Sequence, residues 1–129
     1  MEDLEAKIRQ HLVDRKWDKL RPGDVAKSIS IEAAELLENF QWSNPTLEEV
    51  RADPEKLASV RKELADVLIY AIEMSVLLNI NTREAILDKL AAAQKKYPAE
   101  LFKDRDDSID GGTEEVYWQI KREYRKNNA

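Results

Sequence analysis

Acidic residues recur at three-residue intervals inside an apolar stretch, S-I-E-A-A-E-L-L-E-N-F-Q-W, which carries Glu32, Glu35 and Glu38. Each step of three residues turns an α-helix by about 300°, so neighbouring carboxylates lie about 60° apart on one side. A second pair, Glu63 and Asp66, recurs in K-E-L-A-D-V-L-I-Y. Carboxylates set among Ile, Leu, Ala and Val are costly to desolvate unless something positive neutralises them. The chain must therefore fold so that bulk water or a cation meets these groups. Two acidic dyads on two helices, the second leading directly into the most apolar run of the chain, favour a cation. The competing interpretation is solvated surface charge, which a single Glu-x-x-Glu would not distinguish.

The remaining composition narrows the fold. With 129 residues the chain has the bulk of one domain with a core. Only 3 Gly and 4 Pro are present, too few for the many turns of an all-β chain, while 43% hydrophobic and 36% charged residues suit an all-α protein. A net charge of −5 argues against long nucleic acids as partners, though a metal can bring the positive charge that a nucleotide needs. The absence of Cys removes disulfides and thiolate chemistry. The acidic N-terminus, M-E-D-L-E-A-K, does not resemble a signal peptide, and charged residues interrupt every apolar run. The expectation is a cytoplasmic protein without membrane contact.

Periodicity and caps predict four main helices and a short C-terminal one. The first covers about residues 3–19, with Leu4, Ile8 and Leu12 on one face and Trp17 at its far end. His11, the only histidine, reads as a surface or interface residue; alone it cannot build a two-His metal site. After the break at Pro22-Gly23, Asp24 is the expected cap of a helix over about 25–41, with Ile29, Ala33, Leu36 and Phe40 as its buried stripe. Thr46-Leu47-Glu48-Glu49 has the form of a capping box opening a short turn. Asp53-Pro54 caps a long helix over about 54–78 whose second half is apolar nearly all round. Such a helix needs cover on most sides, which predicts a helix–helix dimer. Glu73, seven residues beyond Asp66 and on nearly the same face, is either a further acid or a structural one and stays outside the candidate site. The next helix starts near Asn81, has Ile86, Leu90, Ala93 and Tyr97 as its buried row, and stops at Pro98. Residues 103–112 read as a connector, and Thr113 caps a last helix with a basic end. The expected division is a helical domain over 1–102 and a linker with a C-terminal helix over 103–129, packing on the bundle or on a neighbouring subunit.

Hard divalent ions such as Mg²⁺ prefer oxygen ligands, and carboxylates on packed helices supply them. No Gly-rich phosphate loop is present, so phosphates would be held by metal and by Lys or Arg side chains. Lys89 and Lys96, two turns apart on one helical row, are the candidates.

The combination of W-D-K-L, S-I-E-A-A-E-L-L-E-N-F-Q-W, K-E-L-A-D-V-L-I-Y and K-L-A-A-A-Q-K-K-Y-P resembles the MazG-like all-α nucleoside triphosphate pyrophosphohydrolases over roughly residues 14–98. It is most similar to the small single-domain, dCTP pyrophosphatase-like members. The resemblance implies a helical bundle completed by dimerisation, as a homodimer or dimer of dimers. It implies Mg²⁺-dependent hydrolysis of a (deoxy)nucleoside triphosphate to the monophosphate and pyrophosphate, in house-cleaning of the nucleotide pool, with Mn²⁺ as a substitute ion. Glu32, Glu35, Glu63 and Asp66 match the metal ligands, and Glu38 is a further acid able to position metal or water. Trp17 and Trp42 match aromatic positions of the nucleotide pocket, and Tyr70 joins them on the substrate side. Lys89, Lys96 and Tyr97 match phosphate- and sugar-side positions. Two departures bear on the substrate: Ala93 stands where the family usually has Asn, and Leu20-Arg21-Pro22 replaces a Phe-His-x-Pro pattern, with Val25 near a usual Asn. The alternative function is a catalytically weak nucleotide and metal sensor or scaffold on the same fold.

Overall fold

The computed structural model describes residues 1–102 and 114–128. Among these residues the chain is all-α, with no strand. It forms two compact units, Met1–Arg83 and Glu84–Ala129. No described helix is long and apolar enough to cross a membrane.

The first unit is organised around α4 (Pro54–Leu77), which packs against α1 (Glu2–Asp14), the short α3 (Leu47–Ala52) and, most extensively, α2 (Pro22–Glu38). Leu12 of α1, wholly buried, meets Ile72 and Val76 of α4, with Ile8 and Leu77 packed around them. Val25 is the buried anchor of α2. At this end of α4 the guanidinium of Arg9 donates to the Val76 carbonyl at 3.2 Å, supplying a donor to a helix C-terminus that lacks its own. The Glu5 carboxylate accepts the backbone N–H of Thr82 at 2.9 Å, and hydrogen bonding from Thr82 holds the Glu5 pKa below the usual glutamate value.

Local chemistry sets the helix ends. The Thr46/Glu49 capping box opens α3, and the Asp53 side chain accepts the Lys56 N–H at 3.1 Å with Pro54 in the first turn of α4, as the sequence predicts. The first helix is shorter than its periodicity suggests. Lys16 adopts φ 60°, and the N–H groups of Trp17 and Lys16 turn back onto the carbonyls of Leu12 and Val13. This left-handed closure ends α1 at Asp14 and puts Trp17 beyond the helix. Asn79, at φ 55°, closes α4 in the same way, with Ile80 N–H donating to Ser75 O at 2.8 Å. The start of α2 also differs from expectation. Pro22 takes the first-turn position, Arg21 precedes it with extended backbone, and Asp24 makes no capping bond. Proline at that position needs no hydrogen-bonded N–H, so the helix begins three residues early.

The antiparallel seam of α2 and α4 positions the acids. Asn39, which closes α2, accepts Ser59 Oγ at 2.7 Å through its side chain and the Lys56 ammonium through its carbonyl. From that pin, one turn back along α2 and one turn forward along α4 brings Glu35 beside Glu63. The next turn brings Glu32 beside Asp66.

The second unit contains most of α5 (Thr82–Lys96), a 3₁₀ turn at Ala99–Phe102 and α6 (Glu114–Asn127). Tyr97 stacks on Tyr117 with centroids 5.1 Å apart, and the Lys96 ammonium lies 4.0 Å from the Tyr124 ring centroid. Ile86 and Leu90, expected in a buried row, are exposed in the single chain. The expected connector 103–112 and the Thr113 cap lie outside the described residues.

Candidate functional site

Four carboxylates from two helices converge in the first unit. Glu32, Glu63 and Asp66 each offer a carboxylate oxygen within 4.8 Å of the other two, and all three residues are half-buried. Glu35, more exposed, lies within hydrogen-bond reach of both Glu32 and Glu63. Glu38 is exposed one turn further along α2, close enough for its charge to act on Glu35. This is the geometry of an i, i+3 pair on one helix facing an i, i+3 pair on its antiparallel neighbour.

The electrostatics match the crowding. Glu35 has its pKa raised above the usual glutamate value, first by a hydrogen bond shared with Glu32, then by the Glu32 charge and by desolvation, while a hydrogen bond from Glu63 opposes them. Glu63 is also pushed up, mainly by burial and then by the Glu35 charge, with Lys62 pulling the other way. Among the described residues no Lys or Arg forms an ion pair with these acids.

Two atoms test whether a cation fits. Glu32 Oε2 and Glu63 Oε2 are buried and lack any hydrogen-bond partner. A buried carboxylate oxygen without a donor is expensive, and here two acids on neighbouring helices each carry one. An all-oxygen donor set of this kind suits a hard divalent ion that keeps several waters.

A cavity of about 420 Å³ adjoins the acids, a size that accepts a small organic ligand. Asp66, Tyr70 and Glu73 line it from successive turns of α4, together with Ile69. Ser28 of α2, His11 of α1, Trp17 and Leu20 complete the wall. The His11 and Trp17 rings meet edge to face with centroids 5.9 Å apart. Burial raises the Tyr70 pKa, and the charges of Glu73, Glu32, Asp66 and Glu35 add to the effect.

The structure thus brings together the four acids, Trp17 and Tyr70. Trp42 is 90% exposed and lies outside this cavity. Lys89 is exposed on α5, and Lys96 and Tyr97 take part in the aromatic cluster of the second unit. Sequence reasoning left out His11 and Glu73 as lining residues. For Glu73 a signal existed, an acid two turns beyond Asp66 inside the most apolar run of the chain. For His11 none did, because only the α1–α4 packing brings it to the cavity.

Comparison with known proteins gives a consistent picture. The MazG-like family pattern matches residues 27–110. A crystal structure of a pyrophosphatase from Archaeoglobus fulgidus is 40% identical, covers 76% of this chain and 92% of its own, and superposes with a TM-score of 0.67. The mouse and human dCTP pyrophosphatase 1 proteins are each 27% identical over 103 residues, 78% of this chain. The chain spans 61% of the length of those curated relatives.

Proposed function

Because the chain belongs to the MazG-like family, we propose that it is a nucleoside triphosphate pyrophosphohydrolase, cleaving a (deoxy)nucleoside triphosphate to the monophosphate and pyrophosphate with the help of Mg²⁺. The observation that carries this reading is the meeting of carboxylate oxygens from Glu32, Glu63 and Asp66 within 4.8 Å, beside the buried, unpartnered Oε2 atoms of Glu32 and Glu63. Related proteins named as pyrophosphatases support it.

Glu32, Glu63 and Asp66 would hold the cation, with Glu35 completing the set from the solvent side. When bound, a divalent ion neutralises phosphate charge and acts as a Lewis acid on a phosphoryl oxygen. The chain's own part is positioning. Glu35 and Glu38 are both exposed and would be the acids that meet an attacking water. A carboxylate oxygen there orients the water and accepts its proton as the new bond to phosphorus forms and the bond to the pyrophosphate oxygen breaks. Trp17 and Tyr70 frame the cavity beside the acids, where an aromatic face can stack on a base. In a cell such an activity would serve the cleansing of the nucleotide pool.

The same reading includes a homodimer. Leu57, Leu64 and Leu68 stand at i, i+7 and i+11 on α4 and are all exposed. An apolar row of that spacing is covered in stable helical proteins. Sedimentation showing a folded, active monomer at low concentration would refute the dimer.

The deciding experiment is a panel of canonical and modified nucleoside triphosphates with Mg²⁺, assayed for pyrophosphate release. Glu35→Ala and Asp66→Ala should lose turnover by at least about 10²-fold, the scale of removing one preorganised electrostatic contact. Their helical circular dichroism should be unchanged. Full turnover in the pure double variant would refute the assignment, and binding without release of monophosphate would make the protein a sensor.

A further inference from the structure

Glu73 is buried, with 5% residual exposure, and among the cavity's charged groups His11 acts on its carboxyl. It lines the cavity next to the acids, two turns of α4 beyond Asp66. Its carboxyl shares that cavity with Ile69, Leu20 and Trp17, and its burial there penalises the charged form. The neighbouring core residues of the same helix, Ile72 and Val76, show that α4 places apolar residues where packing is the only demand.

We propose that Glu73 is the specificity-determining residue of this cavity, accepting a hydrogen bond from the exocyclic amine of the substrate's nucleobase. The inference rests on the nucleotide reading above and goes beyond it by assigning the class of base. The wall holds donors for a base's ring acceptors and carbonyl: the hydroxyls of Tyr70 and Ser28 and the His11 ring. The acceptor-only groups are Glu73 and Asp66, and Asp66 is engaged with the acidic triad. An ionised carboxyl accepts and cannot donate. It matches the amine of cytosine or adenine. It meets the corresponding carbonyl of uracil or hypoxanthine lone pair to lone pair. A charge-assisted bond from the amine offsets the desolvation that Glu73 suffers in the free protein.

The test is calorimetric titration of nucleoside 5′-monophosphates into the full chain with Mg²⁺, which needs no turnover. CMP against UMP and AMP against IMP each compare an amine with a carbonyl at one position. In the unaltered protein CMP or AMP should bind roughly 10- to 100-fold more tightly than its partner, the range for a hydrogen bond to a charged group. The arm that shows the larger ratio identifies the base. Glu73→Ala should abolish the ratio. Glu73→Gln, which keeps the shape and adds a donor, should bring the two affinities together by admitting the carbonyl base. Should the alanine variant fail to fold, the glutamine variant decides alone. Equal affinities in the unaltered protein, or a ratio preserved in Glu73→Gln, would overturn the inference. Preference without pyrophosphate release from any triphosphate would defeat only the hydrolytic reading. Pyrophosphate release with a ratio indifferent to residue 73 would defeat only the role of Glu73. A folded protein that binds no monophosphate and releases no pyrophosphate from any triphosphate would overturn both.

Discussion

Glu32 on α2 and Glu63 on α4 bring carboxylate oxygens within 4.8 Å of each other across the helix seam, and each keeps its Oε2 buried without a partner. In the free chain this pair opposes the packing that creates it. A ligand that binds only the folded arrangement adds stability in proportion to its saturation. At a concentration 100 times its dissociation constant, Mg²⁺ or Mn²⁺ should add about 2.7 kcal/mol. That corresponds to a rise in Tm on the order of 5–10 °C for a chain of this size. Differential scanning fluorimetry with and without chelator measures it, and Glu63→Gln should blunt the response. A melting temperature indifferent to both ions would remove the cation from the account.

Glu73 gives a pH dependence of definite sign. Burial raises its folded pKa above the ordinary value of 4.5, and the His11 charge pulls the other way without reversing the shift. Between 4.5 and that raised value the folded state holds more protons than the unfolded one, so stability falls as pH rises through the window. Below 4.5 the contribution is level, because both states are protonated there. Glu73→Gln removes the titration. The difference in Tm between variant and parent, followed from pH 4 to pH 8 at fixed ionic strength, should grow in favour of the variant with increasing pH. His11, Asp66 and Tyr70 share the cavity with Glu73 and are present in both proteins, so the difference isolates the one carboxyl.

Lys16 closes α1 in the left-handed region, at φ 60°. A residue with a Cβ is held there at a cost of roughly 1–2 kcal/mol, part of which glycine returns through its freer unfolded chain. Lys16→Gly should therefore stabilise the protein by up to about 1 kcal/mol in urea unfolding. A destabilised variant would show that the lysine side chain contributes more than its backbone costs.

Leu12 is the one wholly buried large side chain among the described residues, and it joins α1 to Ile72 and Val76. Leu12→Ala should cost about 2–5 kcal/mol. The same truncation at Leu37, which is exposed, should cost far less in a monomer and more in a dimer that covers it. Comparing the two by denaturant midpoint at low and high protein concentration separates the intramolecular core from an intermolecular one.

Much of this protein is legible in its sequence because the relevant signals are local. Thr46 with Glu49, and Asp53 with Pro54, specify helix starts through side chains three residues or fewer away, and the structure places those starts as the residues dictate. The Glu-x-x-Glu and Glu-x-x-Asp spacings likewise put each dyad on one side of its own helix, since three residues make most of a turn. The end of α1 was less legible, because nothing in a lysine announces the left-handed backbone that Lys16 adopts. What no local pattern determined is the register of α2 against α4. That register depends on Asn39 meeting Lys56 and Ser59, contacts about twenty residues apart in the chain, and it decides that Glu35 faces Glu63. Nor did periodicity show that His11 and Glu73 share a cavity with Trp17, for this requires α1 to pack on the far half of α4 through Leu12. Helix identity and acid spacing follow from rotation per residue along one chain segment. The meeting of acids and the shape of the cavity follow from burial of apolar surface between distant segments.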